Sequence, residues 1–213
     1  VHRRLYIHDG HYRLPVEIIE PAVRSTGAAG PMLVFLHEGL GSIAQWRDFP
    51  FAVSLAVHLP AVVYERGGYG NADPLDGPRS VNYLHEEALQ SLPEVLRLLQ
   101  IDDAILIGHS DGGTIALIFA AVWPEKVRGI ITEAAHVFVE EVTLAGIREA
   151  VSQYDATDLR EKLLKYHGSN TEAAFQGWSE TWLSPAFRDW NIEKYLPGVR
   201  CPVLAIQGRD DEY

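Results

Sequence analysis

Ile105-Leu-Ile-Gly-His-Ser-Asp-Gly-Gly113 is the stretch that decides how this chain is read. The apolar run over 103–108 predicts a buried strand, and Thr114-Ile-Ala-Leu-Ile-Phe-Ala-Ala-Val-Trp123, stopped by Pro124, predicts an apolar helix. Between them lies a turn of small residues carrying one serine. Gly108 and Gly112 flank Ser110 at the two places where side chains would collide in a sharp strand-to-helix turn. Such a turn holds the Ser110 hydroxyl clear of the backbone at the tip of a sheet, with the N–H groups that open the helix directed at the reacting carbon. A glycine-rich link with no chemical role is the alternative; the buried strand before the turn and the apolar helix after it favour a nucleophile.

Working outward, strands and helices alternate. Leu5-Tyr-Ile-His8 and Tyr12-Arg-Leu-Pro-Val-Glu-Ile-Ile19 predict an opening hairpin about Asp9-Gly10, and Gly27-Ala-Ala-Gly30 a loop. Continuous apolar runs at 31–37, 61–64, 127–135 and 203–207 predict parallel strands covered on both faces. Helices are expected over 43–58 and, capped by Ser80, over 80–100; there Leu84, Ala88, Leu92, Val95, Leu96 and Leu99 share a face and Pro93 kinks or restarts the helix. From 137 to 197 the pattern is helical (142–154, 158–167, 171–183), broken by Gly168, Gly177 and Pro185. This stretch carries Tyr166, Phe175, Trp178, Trp182, Phe187 and Trp190. Most of these rings are expected to pack the segment onto the body, with Trp178 and Trp182 as candidates to face a substrate. The resulting division is a core over 1–136, a helical insertion over 137–197 and a return to the core over 198–213.

Composition narrows the function. The 213 residues suffice for one compact domain, and a net charge of −11 argues against nucleic acid or an anionic membrane as a standing partner. Small or neutral substrates remain. The lone Cys201 permits no internal disulfide, no apolar run reaches membrane-span length, and the first residues lack the apolar core of a signal peptide, so a cytoplasmic home is expected. No H-x-x-x-H or paired-cysteine spacing suggests a metal. Gly67-Gly-Tyr-Gly70 lacks the spacing and the lysine of a phosphate cradle, so no cofactor is expected. The start at Val1 and the stop at Tyr213, shortly after a strand, read as truncation at both ends.

Taken in order, the strand–helix alternation, the His37-Glu-Gly-Leu-Gly41 loop, the Gly108-His-Ser-Asp-Gly-Gly113 turn, the helical insertion and the Gln207-Gly-Arg-Asp-Asp-Glu-Tyr213 turn resemble the α/β-hydrolase superfamily over essentially the whole chain. The likeness is greatest to bacterial carboxylesterases of the pimeloyl-carrier-protein methyl ester esterase group. It implies an α/β fold with a mostly parallel sheet, helices on both faces, a helical lid after the sixth strand, and a triad in the order serine, acid, histidine.

The resemblance then assigns roles. Ser110 is the nucleophile and the Asp111 N–H the first oxyanion donor; Leu40 is the second, because Glu38 is extra here and Gly39-Leu40 aligns with the family's loop, with Gly39 and Gly41 as alternatives. Asp211 is the acid, ahead of its neighbour Asp210 and of Glu133 at the end of the preceding strand. The family's histidine lies further along than Tyr213, so the base is expected outside this sequence. His136 is read as a pocket-lining residue and only secondarily as the base, His37 and His109 as structural, and the Asp111 carboxylate as bonded locally. The expected reaction is ester hydrolysis through an acyl-enzyme. Rivals are carbon–carbon bond hydrolysis or acyl transfer to peroxide on the same triad, and a ligand-binding protein with little turnover.

Overall fold

The computed structural model describes residues 1–23, 30–209 and 211. β1 (His2–His8) and β2 (Arg13–Ile19) form the opening hairpin. Asp9 Oδ1 accepts the N–H groups of His11 and Tyr12 at 2.9 and 2.8 Å, which shapes the turn. β2 then pairs antiparallel with β4 (Ala61–Tyr64). β4, β3 (Met32–Leu36), β5 (Ala104–His109), β6 (Val127–Glu133) and β7 (Val203–Ile206) run parallel, in the spatial order β1-β2-β4-β3-β5-β6-β7. β3 thus lies between β4 and β5, so the chain crosses over after β4 to reach β5 on the other side of β3.

Side chains alternate across the sheet. Val34, Leu36, Val62 and Leu106 join one core with α4 (Asp111–Val122), whereas Leu33, Phe35, Val63 and Ile107 face the other side. α1 (Phe49–Val57) lies on that second side, with Val53 packed against its core. The helix expected over 43–58 is split: a short tight turn at Ile43–Trp46 ends at Arg47 (φ 51°), and α1 starts afresh with Pro50 in its first turn, where its missing N–H costs nothing.

The helix expected over 80–100 is also divided. Ser80 does not cap it; its hydroxyl accepts the Asn82 N–H at 3.1 Å and donates to Glu86 at 2.7 Å, and α2 (Tyr83–Glu86) begins after Asn82. A wide turn at Glu87–Ser91 precedes α3 (Leu92–Leu98), whose first turn holds Pro93, so the residue without an N–H falls where the hydrogen-bond ladder is already broken. The predicted stripe is buried from Leu84 to Leu96, with Leu99 half-buried. The loop expected at 27–30 lies, except for Gly30, outside the described residues.

α5 (Glu141–Ala156), α6 (Leu159–His167) and α7 (Thr171–Leu183) follow β6. They are tied to the strand-end loops by two buried side chains. His167 Nδ1 accepts the Gly70 N–H at 3.0 Å and its Nε2 contacts the Leu40 carbonyl at 2.9 Å; Asn170 Nδ2 donates to the carbonyls of Gly70 and Ala72 at 3.2 and 2.8 Å. A backbone N–H on one side and a carbonyl on the other fix the neutral tautomer protonated on Nε2.

Burial lowers the His167 pKa, the Leu40 bond and Glu38 opposing, and burial together with Arg66 lowers that of His37 further. Both imidazoles are therefore neutral in the fold while the unfolded chain binds protons below its ordinary value of 6.5. Stability is full above that value and falls as pH drops through it. His167→Phe should lose about 1–3 kcal/mol at pH 7.5 through its two bonds. It should also show a smaller further loss between pH 7.5 and 5.5 than the unmodified chain in urea unfolding; equal losses over that interval would show that His167 does not sense the proton.

Candidate active site

The site is built where β3, β4 and β5 end. Ser110 follows β5 at φ 50°, ψ −115°, a backbone conformation that a residue with a side chain adopts only when its surroundings enforce it. Here the Ser110 N–H donates to the Glu133 carbonyl at 2.8 Å, and its own carbonyl accepts from Gly113 and Thr114 at 2.9 and 3.1 Å. The flanking glycines are required by space: a Cβ on Gly112 would lie 1.9 Å from the Leu36 carbonyl oxygen, and one on Gly108 would lie 2.2 Å from that of Gly112. The hydroxyl is thereby raised at the start of α4, whose first N–H groups have no partner within the helix.

His136 Nε2 lies 3.3 Å from Ser110 Oγ, and the residue lines the cavity there. Thr114 holds its backbone on both sides, donating to the His136 carbonyl at 2.6 Å and accepting its N–H at 3.2 Å, and the imidazole meets the Trp182 ring edge-on at 4.8 Å. Burial lowers the His136 pKa, with Asp111, Glu140 and Asp211 opposing, so the ring is neutral and able to accept a proton near pH 7.

A cavity of about 400 Å³ opens at this point, bounded by Leu40, Ser110, His136, Trp178, Trp182 and Asp211. Of the expected acids, Asp211 borders the cavity; its Oδ2 accepts from Gln207 Nε2 at 2.6 Å. Glu133 turns its side chain to solvent and serves through its backbone, and Asp210 lies outside the described residues. Among the candidate oxyanion donors, the Gly41 N–H is occupied by the Glu38 carbonyl at 3.1 Å, which leaves Gly39 and Leu40 on the cavity wall.

Elsewhere the rings of the helical segment divide as their packing dictates. Phe175 stacks on Tyr154 and Phe187 on Trp190, with centroids 3.8 and 5.2 Å apart, inside the core. Trp178 lies against Gly39, while Trp182 is 2% exposed and its Nε1 donates to the Tyr83 hydroxyl at 2.9 Å. His109 and Glu38 pair at 3.6 Å beside Ser110; that pairing raises the His109 pKa against burial.

The Asp111 carboxylate is not bonded locally. It is 1% exposed, accepts from the Tyr83 hydroxyl at 2.8 Å and faces Arg66 Nη1 at 3.6 Å. The expectation of a local bond fails because the side chain is buried among residues distant in sequence, Tyr83 and Arg66. Arg66, Tyr83 and His167 were not singled out by the sequence. The one signal for Arg66 was its place just after a strand's C-terminal end, where sites of open α/β sheets form.

The comparisons with known proteins bear on the fold and the family. A model of the alpha/beta hydrolase fold family matches residues 31–196. The chain is 27% identical over 159 residues to serine hydrolase BPHL of Homo sapiens, covering 70% of this chain and 53% of that protein. It is 23% identical over 215 residues to 2-hydroxy-6-oxo-2,4-heptadienoate hydrolase of Pseudomonas putida, covering 91% and 76%. Among solved structures it resembles a carboxylesterase of Nitrososphaera gargenis with a TM-score of 0.72 at 20% identity, over 99% of this chain and 81% of that one. The chain spans about half the length of the human relative. With the match running from β3 past α7, and with the serine turn inside it, the chain belongs to the alpha/beta hydrolase fold family.

Proposed function

We propose that this chain is a serine hydrolase of small carboxylic esters, and the observation that carries the reading is Ser110 Oγ, raised on its strained turn, 3.3 Å from the His136 imidazole at the floor of a cavity. Oγ attacks the ester carbonyl as its proton passes to an imidazole, and the oxyanion takes hydrogen bonds from the N–H of Asp111 and of the loop at Gly39-Leu40. The proton then leaves with the alcohol. Water attacks the acyl-enzyme in the same way and releases the acid. Among the described residues His136 is the imidazole placed to move that proton; Asp211 and Glu38 both border the same cavity, and Asp211 is read as the acid. This departs from the family order serine, acid, histidine, which puts the base after the acid.

The segment 137–197 is read as a lid on the core of 1–136 and 198–213, with Trp178 and Trp182 facing the acyl group. No cofactor enters. Nothing in the site is suited to nucleic acid, and no helix of the described residues is long and apolar enough to cross a membrane; a cytoplasmic setting fits the lone cysteine. Carbon–carbon bond hydrolysis is a second reading, favoured by the likeness to the Pseudomonas putida hydrolase over 91% of the chain. Product analysis on an ester panel and a vinylogous diketone separates the two.

Ser110→Ala should lower the acylation rate by about a millionfold, and an organophosphonate should label Ser110 alone. Activity surviving in the alanine variant, or label on another serine, removes the assignment. His136→Ala should cost a comparable factor if it moves the proton; unchanged turnover would give that role to a different imidazole.

Trp178 is half-buried on the cavity wall, so Trp178→Ala should reorder the preference for acyl chain length. Trp182 is also bonded in the core, so Trp182→Ala should cost about 3–5 kcal/mol of stability as well. An unchanged ranking in both variants would make these rings packing residues only.

A further inference from the structure

Arg66 is 3% exposed, follows β4, and reaches both loops that form the site. Its Nη2 donates to the carbonyls of His37 and Glu38 at 3.2 and 2.7 Å, its backbone N–H donates to His37 Nε2 at 3.2 Å, and its Nη1 faces Asp111 Oδ2 at 3.6 Å. The Tyr69 ring lies 4.8 Å from the guanidinium carbon. Burial opposes the cation, but Tyr69, Asp111 and Glu87 more than offset it and raise the Arg66 pKa, so the group is charged at every working pH.

Asp111 poses a problem that the mechanism above leaves open. Its N–H is the first oxyanion donor, yet its carboxylate is buried on the same residue. Negative charge held close to a developing oxyanion in a water-excluded site raises the barrier that the donors lower. Tyr83 supplies one hydrogen bond but no charge, and Asp111 Oδ1 has no hydrogen-bond partner among the described residues. Among the described residues, the cation paired with it is Arg66.

We propose that Arg66 is a positioning residue of the reaction: it cancels the Asp111 carboxylate beside the oxyanion hole and, with the same guanidinium, holds the His37-Glu38 backbone that leads into the Gly39-Leu40 loop of the second donor. The C=O and N–H of a trans peptide point in opposite directions, so pinning the Glu38 carbonyl on Arg66 turns the Gly39 N–H away from the guanidinium. One side chain thus sets the charge of one donor and the direction of the loop holding the other. This rests on the acyl-enzyme reading of Ser110.

The test is p-nitrophenyl butyrate turnover by the whole chain, with kcat and KM measured separately, alongside phosphonate labelling of Ser110. Arg66→Met should lower kcat on the order of a hundredfold, with little change in KM, as when an oxyanion donor is lost. Adding Asp111→Asn, which keeps the backbone N–H but removes the uncompensated charge, should regain roughly tenfold or more of that loss. A residue that merely supports the fold would give no such rescue.

If Arg66→Met does not give a cooperative thermal transition, Tyr83→Phe replaces it: loss of the hydroxyl bond to Asp111 should lower kcat by roughly a few-fold, and Asp111→Asn should restore it. Labelled Ser110 without rescue in either background overturns this proposal alone. Absence of label on Ser110 in the unmodified chain overturns the acyl-enzyme reading, and this proposal with it.

Discussion

The start of α4 crosses the end of β3 so closely that the Gly112 α-carbon is in contact with the Leu36 carbonyl. That crossing governs the rest of the site. The register of β3 and β5 sets Leu36 beside Gly108, so the loop leaving one strand and the serine turn leaving the other start side by side. Ser110 is forced to a positive φ, and the strain is held by bonds from Glu133 and from the first turn of α4. Any side chain at position 112 would push the helix off β3 and move the hydroxyl with it.

Beneath the crossing lies a buried polar layer that a protein of net charge −11 must balance internally. Arg66 and Arg79 stand over Tyr69, and Asp111 and Glu87 accept from Tyr83 and Tyr64. Taking such groups from water is costly; a partner of opposite charge or a hydroxyl meets Arg66, Asp111 and Glu87, while Arg79 lies over the Tyr69 and Tyr83 rings. Removing one member leaves the others unpaired and typically costs about 3–5 kcal/mol. This layer joins the helical segment to the core as well, since Trp182 ends the chain of bonds that runs through Tyr83 to Asp111.

Local chemistry made much of this legible. The parallel strands announced themselves as unbroken apolar runs, the Asp9-Gly10 hairpin by its turn residues, and the serine turn by its paired glycines; the helices after β6 fall within a few residues of their predicted spans. Failures occurred where one continuous apolar pattern was divided by backbone geometry, at Arg47 and at the wide turn before Pro93. The polar contacts were hidden for another reason. His167 meets Leu40 across 127 residues and Tyr83 meets Asp111 across 28, and no periodicity encodes such encounters. His136 was visible as a strand-end residue, but its 3.3 Å approach to Ser110 depends on Thr114 holding its backbone, which only the assembled fold reveals.

The order of the strands also bears on how the molecule comes into being. β1 and β2 are joined by a short turn and pair locally, whereas β3 must find β5 with Met32 beside Ala104 although β4 and three helices separate the two strands in the chain. Closing so long a loop is an entropic barrier that is crossed before the contacts beyond it give anything back, which makes such pairings slow. Ser110 acquires its geometry only when Leu36 and Gly112 meet. The Ser110 turn is therefore expected among the last features to mature, and after dilution from denaturant, reactivity toward a phosphonate should lag behind the recovery of helical circular dichroism; simultaneous recovery would mean that the central pairing forms with the first collapse.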